Sequence, residues 1–228
     1  MKYLIVNGDD FGASRGINRG VIEAHQRGIL TSASLLVDGA ASEEAAALAR
    51  RTPTLSVGLH VDLRDGRDCR AELQRQFERF GQLMHDAPTH LDSHHDVHRD
   101  GRWLPCFREF AKMYGLRLRA DPPIHTFSRF YGQWNGESHP EHISAANLAR
   151  MLASAIEDGV TELSCHPGYI DAEFSSSYAV EREIELRSLC DPMPRHVLSE
   201  KSIQLLNHRE AAHLIEPYPG DGASCLSW

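Results

Sequence analysis

Residues 3–12 have the sequence Tyr3-Leu4-Ile5-Val6-Asn7-Gly8-Asp9-Asp10-Phe11-Gly12. Positions 3–6 are an apolar run of strand length, and a glycine-flanked pair of aspartates follows them directly. Further runs of strand length occur at 32–37, 56–59, 89–92, 116–120, 161–165 and 202–206. Most of these runs are separated by segments with helical spacing of apolar residues, which predicts βα units around a parallel sheet.

The predicted helices cover residues 17–27, 43–51, 70–84, 107–114, 145–157 and 180–189. In the third of them Leu73, Phe77, Phe80 and Met84 are spaced to lie on one buried face. A chain of 228 residues without an internal repeat or linker fits one domain. We predict that this domain covers residues 1–216 and that residues 217–228 form a flexible tail.

The charge and the apolar pattern restrict the function classes. The chain has 24 basic and 32 acidic residues, for a net charge of -8, which disfavours nucleic acid as a partner. No apolar run approaches the roughly 18 residues needed to span a bilayer. The apolar N-terminus is too short for a signal peptide, and the five cysteines form no C-x-x-C pair, so we expect a cytoplasmic protein with reduced thiols.

Polar and titratable side chains follow five of the seven predicted strands at their carboxyl ends, where the loops of a parallel sheet converge on a ligand. Scattered surface polarity does not usually have this distribution. Four of the fourteen histidines fall within residues 90–98, a density that asks for a chemical explanation. The candidates at the strand ends are Asp9, Asp10, His60, His94, Arg119 and His166.

Adjacent carboxylates such as Asp9 and Asp10 repel each other and need a counter-charge. Asp10 with His60 and His94 would supply one carboxylate and two neutral imidazoles, a set that suits zinc or another divalent ion with one position left for water. Each of these residues also has an ordinary explanation. An Asp-Asp pair can cap a turn, and a histidine at a strand end can bond a backbone carbonyl.

The run from His94 to His98 is expected to alternate if it is extended. Alternation places His94, Asp96 and His98 on one side and His95 on the other. We therefore take His98 as a candidate substrate-binding residue and His95 as a structural one.

Two further residues have a structural and a functional interpretation. Arg119 is either a surface residue of an edge strand or the partner that keeps Asp9 ionised. His166 is either a core histidine before a proline turn or a general acid at a strand end.

The aromatic stretch after the fifth strand also leaves two interpretations open. Phe127, Phe130, Tyr131 and Trp134 form either a lid over the core or a platform for sugar rings. Tyr131 and Trp134 are the substrate-binding candidates in this stretch.

Several ordered motifs together resemble the YdjC-like carbohydrate deacetylases. They are residues 5–12, Val57-Gly58-Leu59-His60, the run 90–98 and Cys165-His166-Pro167-Gly168-Tyr169, while residues 130–136 are most similar to the HpnK-like branch of that family. The resemblance implies a distorted (β/α)-barrel of about seven parallel strands. It also implies one divalent ion, zinc or magnesium or another, on Asp10, His60 and His94, with Asp9 as base and His166 as acid.

The activity implied by this resemblance is hydrolysis of an N-acetyl or related N-acyl group on an amino sugar or glycoconjugate, a small-molecule partner. A homo-oligomer is compatible with the sequence. Two features depart from the family pattern: Asp96 stands where we associate a histidine with the family, and the stretch between His60 and Arg70 is short. Both departures predict a changed substrate.

Two other functions stay open. One is a phosphoesterase with two metal ions that uses Asp92, Asp96 or His98, and the other is a sugar-binding protein without catalysis.

Overall fold

The structure is a computed structural model that describes residues 1–172 and 174–215. The predicted tail at 217–228 lies outside the described residues. The strands are β1 (Lys2–Phe11), β2 (Ser32–Leu35), β3 (Ser56–Val61), β4 (His90–Ser93), β5 (Arg117–Leu118), β6 (His125–Phe127), β7 (Gln133–Trp134), β8 (Glu137–Ser138), β9 (Gly159–Cys165) and β10 (Ile203–Leu205). The α-helices are α1 (Arg15–Arg27), α2 (Ser42–Arg50), α3 (Cys69–Met84), α4 (Leu104–Met113), α5 (Ala145–Ala155), α6 (Ala179–Cys190), α7 (Pro192–Glu200) and α8 (His208–Leu214). Two 3-10 helices cover His94–Arg99 and Pro140–Ile143.

The main sheet is a curled half-barrel with the strand order β5-β4-β3-β2-β1-β9-β6. Every pairing in it is parallel, and β10 adds to β1. The N-terminal part of β1 pairs with β10 and its C-terminal part pairs with β2, while β9 runs along its other edge. The predicted single-domain α/β fold with a distorted barrel of parallel strands is confirmed.

Strand β1 lies in the interior of the sheet, between β2 and β9, and both of its faces are apolar. Leu4, Ile5 and Val6 are fully buried, which is the pattern of a parallel strand covered on both sides. Helix α3 packs against the sheet through Leu73 and Phe77. The apolar runs seen in the sequence therefore form the core and place their carboxyl ends at one rim.

The sequence prediction missed three strands and two α-helices, besides the two 3-10 helices. Strand β6 has only three residues and its pairing with β9 is a tertiary contact, so no local apolar run marks it. The β7–β8 hairpin is also short. Helix α7 contains two prolines that mask its period, and α8 begins with a capping box of Asn207 and Glu210 that the sequence does display.

The expected alternation after β4 is wrong. Residues 94–99 form a 3-10 helix, and within it His95 and Asp96 have left-handed backbone angles, with φ of 56° and 53°. A period of two applies only to an extended chain, so the sides assigned to this run do not hold. His98 is fully buried and pairs with Ser93 instead of lying beside His94.

Among the described residues, no helix combines the length and the apolar character that crossing a bilayer requires.

Gly58 in β3 tests how tightly the sheet packs below the rim. A Cβ at this position would lie within 2.5 Å of three atoms of the His90 ring, and His90 is fully buried and bonded to Ser34. We expect Gly58→Ala to lower the free energy of unfolding by about 1–3 kcal/mol, measured by chemical denaturation. Gly81→Ala is the control, because no atom lies within 4 Å of its Cβ on α3. This control should be neutral or stabilise by up to about 1 kcal/mol, and equal losses in both variants would contradict the packing argument.

Candidate active site

A cavity of about 620 Å³ opens at the carboxyl end of the sheet. Seven of the nine predicted site residues line it, and their chain positions are far apart. The seven are Asp9, Asp10, His60, His94, Arg119, Tyr131 and His166. His98 and Trp134 do not line it.

Asp9 and Asp10 reach the same cavity because β1 is irregular at this point. In a regular strand, adjacent side chains point to opposite faces. The register of β1 against β2 shifts between Gly8 and Phe11, and Asp10 has a left-handed φ of 64°. This irregularity brings both carboxylates to the cavity, each nearly buried, with 6% exposure for Asp9 and 3% for Asp10.

Asp10, His60 and His94 present ligand atoms that all lie within 4.8 Å of one another. The Oδ1 atom of Asp10 is 3.0 Å from His94 Nδ1 and 3.4 Å from His60 Nε2. Two ligands of a tetrahedral zinc ion, each about 2.0–2.1 Å from the ion, are themselves roughly 3.4 Å apart. The spacing and the donor types of these residues therefore fit a divalent ion.

Asp92 fixes the orientation of His60. His60 Nδ1 is 2.7 Å from Asp92 Oδ1, which leaves Nε2 directed at Asp10. Burial lowers the pKa of His60, but the charge of Asp92 and the hydrogen bonds to Asp10 and Asp92 raise it to about 10. These carboxylates favour positive charge at His60, whether a proton or a metal ion supplies it. A carboxylate behind a ligating histidine is a frequent feature of metal sites.

Asp9, His60 and Asp92 also lie close enough together to hold an ion. Arg119 already provides the cation there: its NH1 and NH2 groups donate to the two oxygens of Asp9 at 2.7 Å each, and NH2 lies 2.5 Å from Asp92 Oδ2. Arg119 Nε donates to Glu162 at 2.9 Å. The grouping around Asp10 is therefore the better metal site.

Arg119 also keeps Asp9 ionised. Burial raises the pKa of Asp9, but the charge and hydrogen bonds of Arg119 more than offset this and hold that pKa well below its usual range. Arg119 is itself nearly buried, so the interpretation of Arg119 as an ordinary surface residue does not agree with the structure.

Helix α6 contributes two site residues that the sequence analysis missed. Arg182 donates from NH2 to Asp10 Oδ2 at 2.5 Å, and Glu185 accepts a hydrogen bond from the backbone N–H of His166. Both residues are buried. The polar residues of α6 face inward, so the apolar periodicity that marks a buried face in a sequence is missing there. The charged residues of this segment were the one feature that could have indicated the site. In a sequence, they have the same pattern as the charged residues of a solvent-exposed helix.

His166 follows β9 and is positioned by Glu185. Its Nδ1 lies 3.9 Å from Glu185 Oε1, an oxygen that also accepts a hydrogen bond from Tyr178. Burial lowers the pKa of His166, but the neighbouring Glu185 carboxylate raises it above its usual value. A neighbouring carboxylate that favours the protonated form of a histidine suits it to donate a proton within the cavity.

Aromatic rings form one wall of the cavity. Tyr131 stacks on Tyr178 with ring centroids 4.7 Å apart, and the His166 ring lies edge-on to both. Trp134 stacks on His139 at 3.6 Å outside the cavity lining, and its side chain is 39% exposed. Phe127 and Phe130 belong to the core.

The 3-10 helix after β4 contributes more than His94. His95 and Asp96 line the cavity, although the sequence analysis took His95 as structural. His98, the expected substrate-binding residue, is fully buried with its Nδ1 2.7 Å from Ser93 Oγ. The left-handed angles at His95 and Asp96 turn the chain so that these two side chains reach the rim.

We expect Glu185→Gln to lower the pKa of His166, because the substitution removes the neighbouring negative charge and retains the size of the side chain. NMR titration of the His166 ring protons measures this shift without any substrate. Glu183→Gln on the same helix is the control, since Glu183 contacts the backbone of Ile170. An unchanged His166 pKa in Glu185→Gln would contradict the positioning by Glu185.

Solved structures share this architecture. A crystal structure of an Enterococcus faecalis protein named for cellobiose-phosphate cleavage matches with a TM-score of 0.77 and 25% identity, covering 91% of this chain and 97% of that chain. A family 4 carbohydrate esterase from Streptomyces lividans, in complex with acetate, matches with a TM-score of 0.58 and 14% identity, covering 90% of this chain and 91% of that chain. The second match shows a common fold.

Sequence relatives extend over nearly the whole chain. A chitooligosaccharide deacetylase of Serratia marcescens is 36% identical over 253 residues, with 90% of this chain and 97% of the relative covered. A carbohydrate deacetylase of Geobacillus stearothermophilus is 36% identical over 252 residues, with 92% and 98% covered. The family described as YdjC-like protein matches residues 3–72 and 65–200. The chain belongs to the YdjC-like family.

Proposed function

We propose that this protein is a metal-dependent carbohydrate deacetylase that removes an N-acetyl or related N-acyl group from an amino-sugar substrate. The observation that carries the proposal is the convergence of Asp10, His60 and His94 in a cavity that Asp9 and His166 also line. The names of the curated relatives support the reaction class.

Asp10, His60 and His94 would hold a single divalent ion, zinc or another, because their donor atoms fit one by spacing and type. When bound, such an ion acts as a Lewis acid toward the acyl carbonyl and lowers the pKa of water.

Asp9 and His166 would handle the protons of the reaction. Asp9 is held ionised by Arg119 and faces the cavity, so we assign it as the base that accepts a proton from the attacking water. The Glu185 carboxylate favours the protonated form of His166, so we assign His166 as the acid that donates to the departing amine nitrogen. An amine leaves poorly without that proton, and the two groups must therefore act in sequence.

The aromatic wall would bind the sugar. The Tyr131 and Tyr178 stack lies beside His166 and offers a flat apolar surface to a pyranose ring at the reacting end. Trp134 would extend this surface outward, because the hairpin that carries it is joined to the wall by the hydrogen bond from Gly132 N to Tyr178 at 2.8 Å. A small-molecule N-acetylated sugar or glycoconjugate is the expected partner, and the cytoplasmic location and a homo-oligomer stay predictions.

The phosphoesterase hypothesis has less support. It requires a second metal ion on Asp92, Asp96 or His98. Asp92 is bound by Arg119 and His60, and His98 does not line the cavity. The hypothesis of a sugar-binding protein without catalysis differs from our proposal only in turnover, which the next experiment measures.

The reaction is tested by acetate release from a panel of N-acetylated sugars, oligosaccharides and glycoconjugates. We expect release from at least one of them, and a drop of about 10²–10⁴-fold in kcat for Asp9→Asn and for His166→Ala with the metal content unchanged. Asp191→Asn, an N-cap on α7, is the control and should keep turnover. Near-normal turnover in Asp9→Asn would reject its role as base, and a sugar that binds but survives would favour the binding protein.

The metal site is tested by the ion content of the purified protein. We expect about one divalent ion per chain in the wild type and loss of that ion in the variant with both His60→Ala and His94→Ala, because one carboxylate alone holds a divalent ion weakly. His196→Ala on the exposed surface of α7 is the matched control. Unchanged ion uptake in the double variant, measured by elemental analysis after dialysis, would remove the proposed ligand set.

A further inference from the structure

The two oxygens of the Asp10 carboxylate have different surroundings. Oδ1 lies 3.0 Å from His94 Nδ1 and 3.4 Å from His60 Nε2. Oδ2 accepts a hydrogen bond from Arg182 NH2 at 2.5 Å, on its other side. The first oxygen is therefore shared with the imidazoles that would bind an ion, and the second is occupied by a guanidinium.

This difference matters because a carboxylate can bind a metal ion through one oxygen or through both. A catalytic site with three protein ligands keeps a further position for water or substrate. If Asp10 supplied both oxygens, the second oxygen would occupy the position that is otherwise kept for water or substrate.

We propose that Arg182 is a positioning residue that limits Asp10 to a single metal-binding oxygen and so keeps a coordination position available for the reacting oxygen. This inference rests on the proposed function, since it assigns Arg182 a task at that same site. Arg182 acts through Asp10 and needs no contact with the substrate.

The surroundings of the Arg182 side chain favour this positioning role over a purely structural one. Its side chain is 7% exposed, and its Nε and NH1 atoms are buried without a hydrogen-bond partner among the described residues. Arg119 differs, because it donates to or contacts three buried carboxylates. A buried guanidinium with unpartnered donors is costly for stability. Within residues 1–172 and 174–215, the Arg182 side chain makes one hydrogen bond, to Asp10, and its Cζ lies 6.0 Å from the centre of the Tyr178 ring.

The positioning role and a structural role predict opposite changes in metal binding. If Arg182 only supports the fold, its removal disorders Asp10 and weakens the binding of the ion. If Arg182 limits Asp10 to one oxygen, its removal frees Oδ2 and also takes away a positive charge close to the ion. In that case the ion binds at least as tightly and gains a ligand.

The experiment uses Co²⁺ alone as the probe, because its visible absorption reports the coordination number. In Arg182→Met we expect a weaker visible band, typical of a higher coordination number, with a Co²⁺ dissociation constant no larger than that of the wild type. Acetate release by this variant should fall about 10–100-fold. In Arg182→Lys the ammonium can still occupy Oδ2, so the wild-type spectrum should be retained. Arg187→Met, at an exposed position on the same helix, is the matched control.

An unchanged spectrum in Arg182→Met would overturn the inference, as would a dissociation constant raised tenfold or more. Arg182→Gln replaces the methionine variant if that one does not fold. The spectrum is recorded without substrate, so its outcome is separate from that of the proposed function. Failure of the wild type to release acetate from any sugar would reject the reaction and leave the coordination result standing, whereas a wild type that binds no Co²⁺ overturns the inference itself.

Discussion

The site depends on the ion pairs that Arg119 forms with buried carboxylates. Asp92 and Glu162 are fully buried and Asp9 nearly so, and Arg119 contacts all three of them. Removing one partner from a buried ion pair typically costs about 3–5 kcal/mol, since it leaves a charge without compensation. Arg119 therefore allows three acidic side chains to gather at the end of a parallel sheet, and through Asp92 it also reaches His60, one of the two histidines that face Asp10 Oδ1.

Other groups compensate the charge of Asp10, and this explains the asymmetry of the site. One oxygen of Asp10 is taken by Arg182 and the other faces two imidazoles. Helix α6 supplies that arginine, and one turn later Glu185 supports His166. The helix thus connects the side of the cavity proposed to bind the metal ion with the side that would protonate a leaving group.

The sequence was sufficient to locate the strands that carry the site, because each is a short segment of strand length that ends in a polar group. The grouping of Asp10, His60 and His94 followed from the rule that such ends converge. The same reasoning failed at residues 94–98, where left-handed angles at His95 and Asp96 replaced the expected extended chain and buried His98. It predicted helix α6 but missed the site residues there, because most of the inward-facing residues of that helix are polar, and it missed β6, whose pairing leaves no local signal.

The sequence by itself determined the alternation of strands and helices, the parallel sheet and the end of that sheet where the polar residues gather, since apolar periodicity and chain direction are local properties. The tertiary structure decided which charges compensate each other, since the sequence left the pairing of Arg119 with Asp9 as one of two interpretations and did not indicate the pairing of Arg182 with Asp10. The pairs of Arg119 with Asp9 and of Arg182 with Asp10 join residues more than a hundred positions apart. Their formation depends on distances of a few ångströms in a desolvated cavity, and no local pattern in the chain encodes such distances.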